Sequence, residues 1–247
     1  MSVPKQTALI LGATGATGKH ILRELLDTPN FTKVGEFGRR ITPLDTAGLS
    51  NKEKLVQKVV DFEKPQEAGF ADEKWDVVFI ALGTTRAAAG SAENFRKIDQ
   101  DYVVNAAQAA RNTSLTQRLI YVSSGGANAN SFFLYPKSKG ETEERLAGLG
   151  YKETIIFRPG MLYETERPQT RLAESVAGSL IKGLTAFSDS VSITVSAVGK
   201  AVRIAGELGV ANLPISAAAY KIGGTEGKPQ FTVIPNRGAL ALSKVQQ

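Results

Sequence analysis

Two groups of residues have types and spacing suited to chemistry. In the first, Ser123 and Ser124 precede Tyr135, and Lys139 follows the tyrosine by four positions. Four residues apart on a helix, a tyrosine and a lysine share a face. An ammonium beside a phenol favours the phenolate. The tyrosine is then suited to pass a proton to or from a substrate oxygen that a serine hydroxyl holds. Tyr-x-x-x-Lys alone recurs often by chance, and Pro136 biases Tyr135 out of helix, so the tyrosine is expected at a helix start. Lys137, two positions from Tyr135, should point elsewhere. Only one of the two serines can face a crevice unless the strand before them has ended.

The second group is Gly12-x-x-Gly15-x-x-Gly18, with Thr14, Ala16 and Thr17 between the glycines. An apolar run precedes it and an amphipathic pattern follows, the context that a dinucleotide-binding turn requires. Gly12 allows the tight turn, Gly15 lets a pyrophosphate approach the backbone, and Gly18 lets helix and strand pack closely. The helix N-terminus offers unpaired N–H groups and partial positive charge, and Thr14 and Thr17 add hydroxyls. Lys19 follows Gly18 without the spacing of a nucleoside-triphosphate loop. About 20 residues on, where an NAD site usually carries an acid, the chain reads Gly38-Arg39-Arg40. Two guanidiniums suit a 2′-phosphate, which points to NADPH rather than NADH.

These groups need elements to hold them. Residues 7–11, 33–37, 55–60, 77–82, 118–123 and 154–157 read as strands. Helical spacing runs from Gly18 to Thr28-Pro29, over 93–111 with Phe95, Ile98, Tyr102, Ala106 and Ala109 on one side, and over 136–149. Residues 42–54 are polar and indefinite. This alternation predicts an α/β chain, a Rossmann-like doubly wound parallel sheet with a crevice at the carboxyl ends of strands one and four. After Arg158-Pro159-Gly160 the rhythm loosens: 172–184 and 197–208 look helical, 191–195 and 231–234 extended. The expected organisation is one domain over 1–247, with 161–247 contributing a small substrate lobe that shares the sheet's core.

Composition narrows the chemistry. The 247 residues include no cysteine, so disulfides, thiolate nucleophiles and cysteine metal sites are excluded. One histidine, His20, on a helix and expected to be solvated, argues against histidine-centred hydrolysis and multi-histidine metal catalysis; no metal is expected. The net charge of +6 is spread without basic runs interleaved with aromatics, which argues against nucleic acid. No apolar run reaches the ~18–20 residues of a membrane span. The first ten residues run straight into the first strand, leaving no room for a signal peptide, so a cytoplasm-like compartment is expected.

With these residues in place, the chain resembles the short-chain dehydrogenase/reductase superfamily in its atypical branch. It resembles more closely the Tat-interacting-protein oxidoreductases and their fungal relatives of the mitochondrial outer membrane. LGATGATG (11–18), FGRR (37–40), VVDFEK (59–64), ALGTTRAAAGS (81–91), KIDQDY (97–102), YVSSGGAN (121–128), YPKSKGETEE (135–144), FRPGMLY (157–163) and NRGALAL (236–242) carry the likeness. It implies an NADPH-binding Rossmann fold, with Asp61 and Phe62 near the adenine. Leu82, Gly83 and Thr84 lie along the cofactor, and Pro159 and Gly160 beside the nicotinamide. Ser123, Tyr135 and Lys139 map onto the superfamily's catalytic set, and the lysine also onto the ribose. It implies residence on the cytoplasmic side, with peripheral association at the mitochondrial outer membrane, although no anchor is visible. Many superfamily members complete a proton relay with an asparagine in the fourth helix; this chain offers Asp99, with Asn105 displaced along the helix. Two readings follow: an NADPH-dependent reductase of a small carbonyl substrate, or an NADPH-binding regulator with little turnover that contacts a protein partner.

Overall fold

In the computed structural model, which describes residues 4–163, 191–225 and 227–245, β1 (Gln6–Leu11) runs up the middle of the sheet, its last four residues buried. Gly12 ends it, and α1 (Gly18–Asp27) returns with Ile21, Leu22, Leu25 and Leu26 on its buried face. Thr28 ends the helix in extended backbone, and Pro29, which cannot continue a helix, follows. β2 (Phe31–Gly38), β3 (Leu55–Val59), β4 (Val77–Ile80), β5 (Arg118–Val122) and β6 (Glu153–Arg158) follow in chain order. Later come β7 (Met161–Tyr163), β8 (Ser192–Thr194), β9 (Tyr220–Ile222) and β10 (Phe231–Pro235).

The main sheet runs β3-β2-β1-β4-β5-β6-β10-β9. Its pairings are parallel except where β9 meets β10. Strand order turns between β1 and β4, so the crevice expected at their carboxyl ends is a topological switch point. Strand periodicity divides the core into two layers. Ala8, Ile10, Phe79, Ile120 and Ile155 pack under α1, α6 (Val195–Leu208) and α7 (Asn236–Ser243). Leu9, Leu11, Val78, Tyr121 and Ile156 pack on the other face, beneath α4 (Tyr102–Ala110) and α5 (Leu134–Ala147).

Several local readings need correction. The helix expected over 93–111 is broken. Thr85 caps a short α2 (Arg86–Ala89), Gly90 takes φ +78°, and Ser91 caps α3 (Ala92–Arg96). A π turn, Lys97–Asp101, joins α3 to α4. A π turn carries more residues than an α turn, so it changes which side chains face inward. Asp99 and Gln100 are buried there, while Ile98, Tyr102 and Ala109 are only partly covered. The extended stretch expected over 191–195 is only β8, because Thr194 Oγ1 accepts from Ala197 N and starts α6 at Val195. His20 is not on a solvated face: α6 crosses α1 there, and a Cβ on Gly199 would lie 2.8 Å from the His20 Cβ. The helix expected over 172–184 lies outside the described residues.

The contact between strand and helix at Gly18 generates a prediction. Glycine to alanine at a helix position ordinarily stabilises by up to ~1 kcal/mol. Here the added Cβ would lie 2.0 Å from the Gly12 carbonyl oxygen. Gly18→Ala is therefore expected to lower stability, by roughly 1–3 kcal/mol as overpacking does. Gly126→Ala, where a Cβ meets nothing within 4 Å, serves as the control. Thermal unfolding followed by circular dichroism reads both, and a Gly18→Ala protein that melts with the control would refute the packing argument.

Candidate functional site

Three backbones converge where β1 ends. Gly12 has φ +93°, and a Cβ there would sit 2.8 Å from the Ala81 carbonyl, just past β4. Gly15 N donates to Gly12 O at 3.0 Å, and Lys19 N to Gly15 O at 3.1 Å, which folds the turn onto the start of α1. Gly15 and Ala16 are exposed at the mouth, Thr14 beside them, and Thr17 is buried under the helix start.

A cleft of about 130 Å³ opens here, lined by Gly12, Thr14, Gly15, Gly38, Arg39, Arg40, Phe62, Ala81, Leu82 and Gly83. It gathers residues from the ends of β1, β2, β3 and β4. Arg39 and Arg40 are exposed on its rim. The acid nearest them along β2, Glu36, is buried and engaged: Thr42 N, Thr42 Oγ1 and Gln57 Nε2 all donate to its carboxylate. Phe62 is buried with its ring stacked on Tyr102, centroids 5.9 Å apart. Asp61 points its carboxylate at Glu63 N, at 2.9 Å, as a local turn. Glu63 in turn binds Lys97 and the Tyr102 hydroxyl, and the hydrogen bond from Lys97 holds its carboxyl below the ordinary range.

The serine, tyrosine and lysine lie beyond Gly83. β5 ends at Val122, so Ser123 and Ser124 both stand outside strand alternation. Ser123 is held by its N–H to Phe157 O at 2.8 Å, and its Oγ is buried without a hydrogen-bond partner among the described residues. Ser124 is half-buried. Tyr135 is the second residue of α5, as expected before a proline. Pro136 is tolerated there because the first-turn N–H groups have no helical partner. The Tyr135 ring is 43% exposed and lies 5.9 Å from that of Phe95. Lys137 turns away to Glu141, at 3.9 Å.

Lys139 is buried. Its Nζ lies 2.9 Å from Tyr121 OH and 2.9 Å from Asp99 Oδ1, and 6.0 Å from the centre of the Tyr135 ring. Burial alone draws the ammonium down; the Tyr121 and Asp99 oxygens outweigh it, and the net shift is upward. Burial pushes the Tyr121 phenol up to about 12. A Cβ on Gly83 would lie 3.1 Å from Asp99 Oδ1 and 3.4 Å from Lys139 Nζ. A side chain on the glycine at the end of the cleft would thus press on the ion pair. Thr84 N, next along, faces Asp99 Oδ1 at 3.4 Å. Across the site, Pro159 O accepts from Gly125 N, and Gly160 N donates to Asn236 Oδ1, each at 2.8 Å.

The sequence reading did not assign Tyr121 a partner in the site, nor give Asp99 its ion pair. Tyr121 was legible only as a strand residue on the α4–α5 face. Gly38 and Ala81, which also line the cleft, lay inside the stretches FGRR and ALGTTRAAAGS but were given no site role.

The residues present fit a dinucleotide. The glycine turn leaves backbone open where a side chain would fill the cleft, guanidiniums rim one end, and an unpaired buried hydroxyl and an ammonium lie toward the other. The comparisons agree. Residues 12–199 match the NAD(P)H-binding family. The chain is 39% identical over 178 residues to the protein HTATIP2 of Rattus norvegicus, covering 71% of this chain and 72% of that one. It is 36% identical over 203 residues to the protein fmp52, mitochondrial, of Emericella nidulans, covering 80% and 85%. In fold it is similar to a short chain dehydrogenase/reductase from Saccharomyces cerevisiae, with a TM-score of 0.61 at 16% identity over 81% of this chain and 90% of that one. A Rossmann sheet, a glycine turn at its switch point and relatives along most of the chain place this protein in the NAD(P)H-binding family, with the HTATIP2 and FMP52 oxidoreductase-like proteins.

Proposed function

We propose that the protein is an NADPH-dependent oxidoreductase of the short-chain type that reduces a small carbonyl compound. One observation carries this reading: a single cleft runs from Arg39 and Arg40 to Gly83, and Lys139 lies directly beneath its far end. In this reading Arg39 and Arg40 take the 2′-phosphate. Gly12, Thr14, Gly15, Ala16, Thr17 and Gly18 cradle the pyrophosphate. Asp61 and Phe62 hold the adenine end, and Leu82, Gly83 and Thr84 flank the chain of the cofactor. Lys139 reaches the nicotinamide ribose, and Pro159 and Gly160 border the nicotinamide. These residues would hold NADPH, whose chemistry there would be hydride donation to a carbonyl carbon. Tyr135 gives its phenolic proton to the carbonyl oxygen, Ser123 or Ser124 donates a hydrogen bond to that oxygen, and an alcohol leaves. The ammonium of Lys139 offsets the negative charge that the tyrosine oxygen gains.

The segment from residue 161 is proposed to face the substrate: after Gly160 the chain leaves the main sheet as β7, with Met161, Leu162 and Tyr163 exposed. The mitochondrial designation of the fungal relatives supports residence at that organelle; a peripheral place on its outer membrane is part of the proposal. Among the described residues no helix is long and apolar enough to cross a membrane. A second reading, an NADPH-binding regulator with little turnover that contacts a protein partner, is favoured by Asp99: paired with Lys139, it compensates the charge that would assist proton transfer at Tyr135.

Three variants test these assignments. A Cβ on Gly15 meets only Gly12 O, at 3.2 Å, and Ala81 O, at 3.9 Å, so Gly15→Val is expected to fold, with an unchanged circular dichroism spectrum. Isothermal titration should then show no binding of either dinucleotide, because the side chain fills the pyrophosphate's place. Wild-type protein should prefer NADPH to NADH by roughly ten- to a hundredfold, the worth of a charge-assisted pair. Arg39→Ala combined with Arg40→Ala should erase that preference; a preference that survives the change would place the 2′-phosphate elsewhere. Tyr135→Phe should keep NADPH affinity while slowing carbonyl reduction ~10²–10⁴-fold, as loss of a positioned acid does. NADPH consumption monitored by absorbance over a panel of aldehydes, ketones and quinones gives the rate. A wild-type rate that Tyr135→Phe leaves intact overturns the catalytic assignment, and tight NADPH binding without turnover on any carbonyl favours the regulator.

A further inference from the structure

A carboxylate against the lysine is not something the proposed reduction demands. Asp99 is nonetheless fully buried, in the π turn, with Oδ1 on Lys139 Nζ and Oδ2 buried without a hydrogen-bond partner. Taking two opposite charges out of water is costly, and an apolar pair of similar volume often serves stability as well. The pair therefore calls for a role beyond holding the fold.

The lysine's valence supplies one. An ammonium has three N–H donors and no acceptor. One lies toward Asp99 Oδ1 and one toward Tyr121 OH, each at 2.9 Å. A single donor remains for anything in the cleft, and Nζ lies under Gly83, the residue that ends it. The donor exists only while the amine is protonated and held at that spot. Burial works against the protonated form. The groups that face the lysine are few: Asp99 from the π turn, Tyr121 from β5, and Tyr135 from its own helix. Glu143, one turn along α5, is taken up by Arg158. The segment after β4 contributes backbone, at Gly83 and Thr84. Tyr121 is a neutral phenol until about pH 12. Among the described residues, the carboxylate against Lys139 is that of Asp99.

We infer that Asp99 is a positioning residue for the cofactor: its carboxylate holds Lys139 beneath Gly83 as an ammonium, so that one lysine N–H stays available to the nicotinamide ribose and dinucleotide binding does not vary across neutral to alkaline pH. This rests on the reading of the cleft as the NADPH site. Asp99 acts through Lys139 and touches no part of the dinucleotide.

Asp99→Asn isolates the charge, because asparagine keeps an acceptor oxygen of the same reach. NADPH affinity measured by titration from about pH 6.5 to about pH 9.5 should vary less than ~threefold in the wild-type protein. In Asp99→Asn it should start within ~threefold of wild type and fall at least ~tenfold as pH rises, since the lysine then loses its proton. Adding Lys139→Met should give weak binding with a flat profile, which identifies the lysine as the titrating group. A profile for Asp99→Asn that parallels wild type overturns the inference alone. A wild-type protein that binds no NADPH at any pH overturns the reading of the cleft and this inference with it. Melting of the ligand-free proteins gives a second arm that does not depend on NADPH; should Asp99→Asn not fold at all, the readout is whether adding Lys139→Met restores a folded protein. Asp99→Asn leaves an uncompensated buried ammonium and should melt lower, and Lys139→Met added to it should recover most of the loss. A double variant that melts no higher than Asp99→Asn makes the site a matter of packing and refutes charge compensation.

Discussion

Everything in the site is referred to one steric constraint, the approach of three backbones at Gly12. The Gly12 carbonyl lies where a Cβ on Gly18 would be, and the Ala81 carbonyl lies where a Cβ on Gly12 would be. β1, the start of α1 and the end of β4 are thereby fixed to one another by contacts between main-chain atoms, which have no rotamers to relax. Sheet topology supplies the rest. Strand order turns between β1 and β4, so the helices that follow these two strands leave on opposite faces and a crevice opens between them. The rim of that crevice is what the chain carries just beyond these strands: Arg39 and Arg40 after β2, Leu82 and Gly83 after β4.

The far wall is held by a different kind of contact. α5 carries Tyr135 and Lys139, and its position depends on polar ties rather than on a broad apolar face. Gly140 lets the loop at Asn128 and Ala129 lie against the helix, and Asn128 N donates to Pro136 O. Glu143, fully buried, takes Arg158 in a two-pronged pair from the end of β6. Asn236, at the start of α7, reaches back to Gly160 N. Buried pairs of this kind contribute little net stability but define geometry, because a displaced partner would leave a charge unpaired out of water. The segment after residue 191 thus completes the sheet with β10 and ties down the loop beside the site.

How much of this the sequence disclosed depends on whether the governing physics is local. The glycine turn was legible because each glycine's reason lies within a few residues of it or on the adjoining strand. β1, β2 and β4 to β6 were legible from short apolar runs, and Tyr135 at a helix start from the proline that follows. The break between Gly90 and Tyr102 was not. A π turn has no residue requirement of its own, and Phe95 and Ala106, both buried, fit an unbroken helix equally well. α7 was hidden because Gly238 in its interior lowers helix propensity. That glycine is there for Ala217, whose carbonyl oxygen lies 1.9 Å from where its Cβ would be. The partners of Lys139 sit 40 positions upstream at Asp99 and 18 upstream at Tyr121, and no periodicity joins residues so far apart. Asp99 stood out in the sequence as a departure from the asparagine of many superfamily members, yet its consequence needed coordinates.

The cations at the two ends of the cleft differ in environment, and the difference divides their labour. Arg39 and Arg40 are exposed, so their fields are screened beyond about 8–10 Å at physiological salt. They suit capture and discrimination of a mobile, multiply charged phosphate, where a fork of donors matters more than a fixed position. Lys139 has a side chain only 6% exposed. Its charge is little screened, and its place is set to within a hydrogen bond by Asp99 and Tyr121. Such a group adds little to encounter and much to orientation. In an NAD(P)H-binding chain the first task bears on which dinucleotide enters and the second on where its reactive end rests. The π turn is what joins the second task to the fold, because it is the element that buries Asp99 under Gly83, where the cleft ends.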